Sequence, residues 1–108
     1  MPDTLSIIKE AIVKRKPIQY EYNCPGKIPG KRTGHPHILY TAKHGQTNVD
    51  IYKLGGVCTD PSKPLPAWRD YIIDYITHVE IIDTAPSFEI ERTFNHHAHK
   101  YVKVLLQV

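Results

Sequence analysis

The chain has 108 residues, 41% of them hydrophobic and 23% charged, with a formal net charge of +3. That length suits one domain with a single core, and the apolar content excludes a disordered polar tail. No apolar run approaches the ~20 residues of a membrane-spanning helix, and the mildly basic balance permits an anionic partner without demanding one.

The opening MPDTLSIIKE carries an early acid and no long apolar core, so no signal peptide is expected and the location is read as cytoplasmic. Asp3 or Thr4 is placed to cap a helix over about residues 4–15, in which Leu5, Ile8 and Ile12 recur at helical spacing with Ile7 and Ala11 beside them. Lys14-Arg15-Lys16 complements the dipole at its end, and Pro17 stops it. The period then changes to two. Ile18, Tyr20 and Tyr22 alternate with Gln19 and Glu21 as a first strand. Residues 23–34, NCPGKIPGKRTG, are dense in glycine and proline and read as a loop. Residues 36–42 and 48–56 read as a second and third strand, joined as a hairpin through His44-Gly45-Gln46. Within NVDIYKLGG, neighbours on a strand diverge, so Tyr52 and Lys53 are expected on opposite faces, with the glycines allowing a sharp bend.

The prolines of CTDPSKPLP, residues 58–66, cannot continue a sheet. In WRDYIIDYITHVEIID, residues 68–83, the spacing of Trp68, Ile72, Tyr75, Ile76 and Val79 also fits a helix. The crowding of β-branched and aromatic residues decides for one or two strands, with a bend near Thr77-His78. After Pro86, Phe88, Ile90 and Arg92 alternate over residues 87–94. Val102, Val104, Leu106 and Val108 alternate over 101–108, leaving NHHAHK as a hairpin tip. The expected fold is mainly β, in the α+β class: a single domain over residues 1–108 with one N-terminal helix, a small barrel or strongly curved sheet over about 17–82, and a C-terminal β-hairpin over about 87–108.

Taken together, residues 5–82 resemble the WYL domain family. The order is a helix, a tyrosine-rich strand, a basic Gly-Pro loop, a His-Pro-entered strand, and then Ile51-Tyr52-Lys53-Leu54-Gly55-Gly56, in which Ile51 stands in place of the tryptophan of the naming run. Arg69, Tyr71, Ile73, Asp74 and Ile76 fall where the family has its arginine, aromatic, leucine, aspartate and isoleucine, and Tyr75 replaces an arginine usual there. The resemblance implies an Sm-like, SH3-type β-barrel from a bacterial or phage context, acting as a ligand-sensing regulatory module for nucleic acids or nucleotides. Without a DNA-reading helix-turn-helix, it would be a standalone module whose output passes to a partner or to its own homo-oligomer.

Tyr20, Tyr22, Tyr52, Lys53 and Arg69, with Lys27, Lys31 and Arg32 of the loop, interleave rings with cations. Single-stranded nucleic acid is held that way, bases stacking on rings for ~1–3 kcal/mol each while Lys and Arg neutralise phosphate. The bland alternative is that the tyrosines fill the core and the lysines keep the loop solvated. GKIPGKRTGHPH is not a G-x-x-x-x-G-K-[ST] loop and lacks the helix such a loop needs, so it is read at most as an anion-contacting surface loop. His96, His97 and His99 cluster, and His35 and His37 share one side of a strand. A metal would need a further ligand, so exposed histidines without a metal, and no cofactor, are expected. Cys24 and Cys58 have no zinc-knuckle spacing and read as unpaired thiols. Asp74 is expected to cap a turn or pair with Arg69, and no spacing ties a nucleophile to a base, so no enzymatic activity is expected. The competing reading is a structural protein assembling through the strands at 87–94 and 101–108.

Overall fold

The computed structural model describes residues 3–58, 64–95 and 97–108. Helix α1 spans Thr4–Lys14. Asp3 is its cap, its Oδ1 accepting the Ser6 N–H at 2.8 Å, and the chain leaves through Arg15 in the left-handed region at φ 53°. Ile8, Ala11 and Ile12 are buried, as the helical spacing requires.

Six antiparallel strands follow: β1 Ile18–Tyr22, β2 Lys31–Thr41, β3 Thr47–Gly56, β4 Ala67–Ile72, β5 Ile76–Ile81 and β6 Lys103–Gln107. They form one sheet in the order β4-β3-β2-β1-β5, with β6 added to β2. β2 organises it. Its first half pairs with β1 through Ile18↔Gly34, its second half with β6 through Leu39↔Leu106, and β3 lies along it from Arg32↔Gly56 to Thr41↔Thr47. Irregular pairing at Thr33/Gly34 and at Pro36/Ile38 marks bulges in this ladder, which add twist and bend. β4 and β5 do not pair, so the sheet is open where a closed barrel was expected.

Two faces result. On the inner face, α1 packs Ile8, Ala11 and Ile12 against Ile18, Tyr20, Leu39, Val49, Ile51, Ile76 and Val79. On the outer face, Ile38 and Tyr40 meet Phe94, Trp68 and Tyr101.

Three expectations need correction. The glycine-rich segment 23–34 is not loop throughout, because Lys31–Gly34 is strand. Gly34 is a glycine of close approach rather than of a turn: a Cβ there would lie 2.5 Å from Ile51 Cγ2 and 2.9 Å from the Tyr52 carbonyl oxygen. The break between the strands of 68–83 falls at a 3-10 turn, Ile73–Tyr75, ahead of Thr77-His78. The irregularity at His78 is a bulge, with φ 51° and a register shift opposite Gln19/Glu21. The C-terminal hairpin is absent, for residues 87–94 form no strand. Their backbone is engaged elsewhere: Phe88 N–H donates to the Arg15 carbonyl at 2.7 Å, and Glu91 N–H to His37 Nε2 at 3.0 Å. Only β6 of the expected pair exists. No helix among the described residues is long and apolar enough to cross a membrane.

A candidate anion-binding site on the inner face

Strand alternation sends Tyr20 and Tyr22 of β1, Arg32 of β2, Lys53 of β3 and Tyr71 of β4 to the inner face, where all five are buried. Tyr71 lies edge-on to both Tyr20 and Tyr22, with ring centroids 5.1 and 4.7 Å apart, pairs worth ~0.5–1.5 kcal/mol each beyond burial. The Arg32 guanidinium stands over the rings of Tyr22 and Tyr71, 5.7 and 6.0 Å from their centroids. Its Nη2 and Nε donate to the carbonyls of Ile28 and Val57, which ties the basic loop to the end of β3. Lys53 Nζ donates to the same Val57 carbonyl and lies 3.4 Å from the Cys58 thiol. Arg69, half-buried, donates from Nη1 to the Trp68 carbonyl at 2.8 Å.

Three cations therefore share one wall with three tyrosines. The ion pairs among the described residues are Lys14–Glu10, His78–Glu21, Lys100–Asp50 and Lys100–Asp70; none involves Lys53 or Arg69. Burial pulls the Lys53 ammonium below the usual lysine range, and the charges of Arg32 and Arg69 pull it the same way. Burial pushes Tyr22 up to about 12, and it pushes Tyr20 and Tyr71 upward too, so all three are neutral phenols. An anion brought here would meet Lys53 and Arg69, which lie outside every ion pair among the described residues, in a medium that screens charge poorly.

Of the residues singled out in the sequence, Tyr20, Tyr22, Arg32, Lys53 and Arg69 converge. Tyr20 and Tyr22 do so as core side chains that offer no ring face to solvent. Lys31 is exposed beside them, and Lys27 stands on the exposed loop. Tyr52 lies on the opposite face against Trp68, ring centroids 5.2 Å apart, so Tyr52 and Lys53 do diverge. Tyr71, central to the cluster, entered the sequence reading only as part of a motif. Asp74 is exposed in the 3-10 turn and makes no ion pair with Arg69. Cys24 and Cys58 are free thiols.

The histidines divide in two. His37 is fully buried, its Nδ1 facing the His35 carbonyl at 2.8 Å and its Nε2 accepting from Glu91 N–H, which defines a neutral ring with the proton on Nδ1. His35 stacks on Phe88 at 4.4 Å. His97 and His99 are exposed, and His96 lies outside the described residues. Among the described residues, no group of three or more His, Cys, Asp or Glu side chains is gathered to hold a metal.

A second polar cluster, which the sequence did not reveal, lies on the outer face. Asp50 and Asp70 are directly opposed on β3 and β4. Asp50 is buried, its Oδ2 accepting from Tyr101 Oη at 2.6 Å and from Lys100 Nζ at 2.9 Å. Asp70 Oδ2 takes Lys100 Nζ and Tyr40 Oη, each at 3.3 Å. Burial pushes the Asp50 carboxyl up against the opposing pull of Lys100 and Tyr101. Partial burial pulls Lys100 down, but the hydrogen bond and charge of Asp50, with those of Asp70, more than reverse this and hold its ammonium above the usual range. The network clamps the C-terminal segment onto the sheet. No sequence pattern links Asp50 to residues fifty positions away.

No protein-family model matches the chain, and no curated protein matches it.

Proposed function

We propose that this protein is a non-catalytic, WYL-like binding module of the small-barrel type, and that it takes the phosphate of a nucleotide or of single-stranded nucleic acid against Arg32, Lys53 and Arg69. The observation that carries the reading is the convergence of these cations on one wall, with Lys53 and Arg69 outside every ion pair among the described residues. A sheet whose fifth strand returns to pair with the first, bent along β2, supports the small-barrel kinship. The enclosed tyrosines shift the expected recognition from base stacking to phosphate, with Tyr22 and Tyr71 holding Arg32 in place. Lys31 at the rim adds long-range attraction.

The test is titration of the protein with a fluorescent single-stranded oligonucleotide and with ATP at two salt concentrations. For about three phosphates neutralised on a single strand, affinity falls roughly 20-fold between 50 and 200 mM salt. Arg69→Ala and Lys53→Met each weaken binding by about fivefold or more. Absence of binding to either ligand, or binding indifferent to salt, refutes the reading.

A second reading has its own support. β6 pairs only with β2 among the described residues, and it carries exposed Val104 and Leu105 beside exposed Val102. Addition of another copy along this edge would make the protein an assembly component. A stable oligomer by light scattering, without oligonucleotide affinity, favours it.

A further inference from the structure

The outer face carries a cleft of about 230 Å³ lined by Asp50, Trp68, Thr93, Phe94, Lys100 and Tyr101, together with Asn95 and Ala98. Asp50 is 2% exposed, and its Oδ1 has no hydrogen-bond partner among the described residues. A buried carboxylate oxygen left without a donor is costly, and here it belongs to a residue that lines an open space. The charge beside it is one-sided: two carboxylates, Asp50 and Asp70, face one ammonium, Lys100. The walls are rings. Trp68 and Phe94 lie 5.6 Å apart, Phe94 and Tyr101 6.4 Å apart. Lys100 already shows what such walls accept, its Nζ standing 5.5 Å from the Tyr101 ring centroid while it bridges the carboxylates.

We propose that this cleft binds a small organic cation with N–H donors, an alkylammonium or guanidinium compound, which donates to Asp50 Oδ1 and rests its carbon atoms on Trp68, Phe94 and Tyr101. A neutral amide would satisfy the oxygen but leave the excess negative charge, and an anion would be repelled by it. The volume admits a head group of a handful of heavy atoms rather than a polymer. Lys100 is the chain's own partial occupant: it fills one oxygen of each carboxylate and leaves the other side of Asp50 to the ligand.

Trp68 is the only tryptophan and lines the cleft, so its fluorescence and its indole N–H resonance report binding directly. That N–H donates to Thr93 Oγ1 at 2.8 Å, another residue of the cleft wall. Titration of the intact protein with n-butylammonium or methylguanidinium chloride is expected to shift the indole signal saturably, with a dissociation constant of about 1 mM or tighter. Tetramethylammonium, which has no donor, binds about tenfold more weakly or worse, and acetate gives no saturable shift. Asp50→Asn weakens binding about tenfold or more, while Lys100→Met, which removes the competing cation, strengthens it about threefold or more. Ala98→Trp, which fills the cleft from its rim, abolishes binding and covers the case that Asp50→Asn does not fold. A non-saturable response to both N–H cations, equal affinity for tetramethylammonium, or unchanged binding in folded Asp50→Asn or Ala98→Trp overturns the proposal.

Discussion

Replacement of Tyr101 by phenylalanine removes one oxygen and leaves the ring. That oxygen donates to Asp50 Oδ2 at 2.6 Å, in a carboxylate that is 2% exposed and whose other oxygen has no partner among the described residues. A hydrogen bond to a charged group is worth about 1.5–3 kcal/mol, and without it the buried Oδ2 keeps only Lys100 as a donor. With an unfolding entropy of about 2.1 cal/mol/K per residue, a 108-residue chain loses about 7–13 °C in Tm for that range. Calorimetry at neutral pH measures it. Burial holds the Asp50 carboxyl above its ordinary value, so acidification neutralises Asp50 early, and the deficit of Tyr101→Phe then shrinks toward the ~0.5–1.5 kcal/mol of a neutral bond. A loss under about 2 °C at neutral pH, or one that does not shrink in acid, would show that Tyr101 does not hold Asp50 and refute the clamp.

Lys100→Ala is expected to cost less than Tyr101→Phe, below about 1 kcal/mol and diminishing with added salt, because its side chain is 41% exposed; denaturation at low and high salt measures this. Gly56 has φ +95°, and a Cβ there would collide with the Lys31 carbonyl across the β2–β3 ladder, so Gly56→Ala costs about 1–3 kcal/mol, and an unchanged urea midpoint would rule this out. Burial holds His35 below its ordinary value of 6.5, so on acidification the unfolded chain takes up the proton first, and stability present above pH 6.5 is lost as pH falls below it. His35→Phe, which keeps a ring against Phe88, flattens that dependence in Tm measured between pH 7.5 and 5.5, and an unaltered slope would argue against it. Asp50 acts with the opposite sign, since a carboxyl raised in the folded state binds its proton more tightly there.

Short-range signals were legible along the chain. The helical spacing of Ile8, Ala11 and Ile12, a cap at Asp3 or Thr4, the alternation of β1 and the β2–β3 hairpin follow from rules spanning three or four residues. The divergence of Tyr52 and Lys53 follows from the pleat alone. Where signals competed, neighbours in space decided. Gly34 reads as a loop glycine, yet Ile51 and Tyr52 come so close that a strand glycine is needed. Phe88, Ile90 and Arg92 alternate like a strand, but the buried imidazole of His37 claims the Glu91 N–H and no neighbouring strand claims the segment.

The amino-acid order alone thus determined a β-rich domain led by one capped helix. Only the assembled sheet decided that the tyrosines are sunk in the core, that Lys53 and Arg69 share a wall with Arg32 while making no ion pair among the described residues, and that Asp50 faces Lys100 and Tyr101. Those outcomes depend on contacts between residues from about sixteen to about fifty positions apart, whose desolvation and pairing no local pattern encodes.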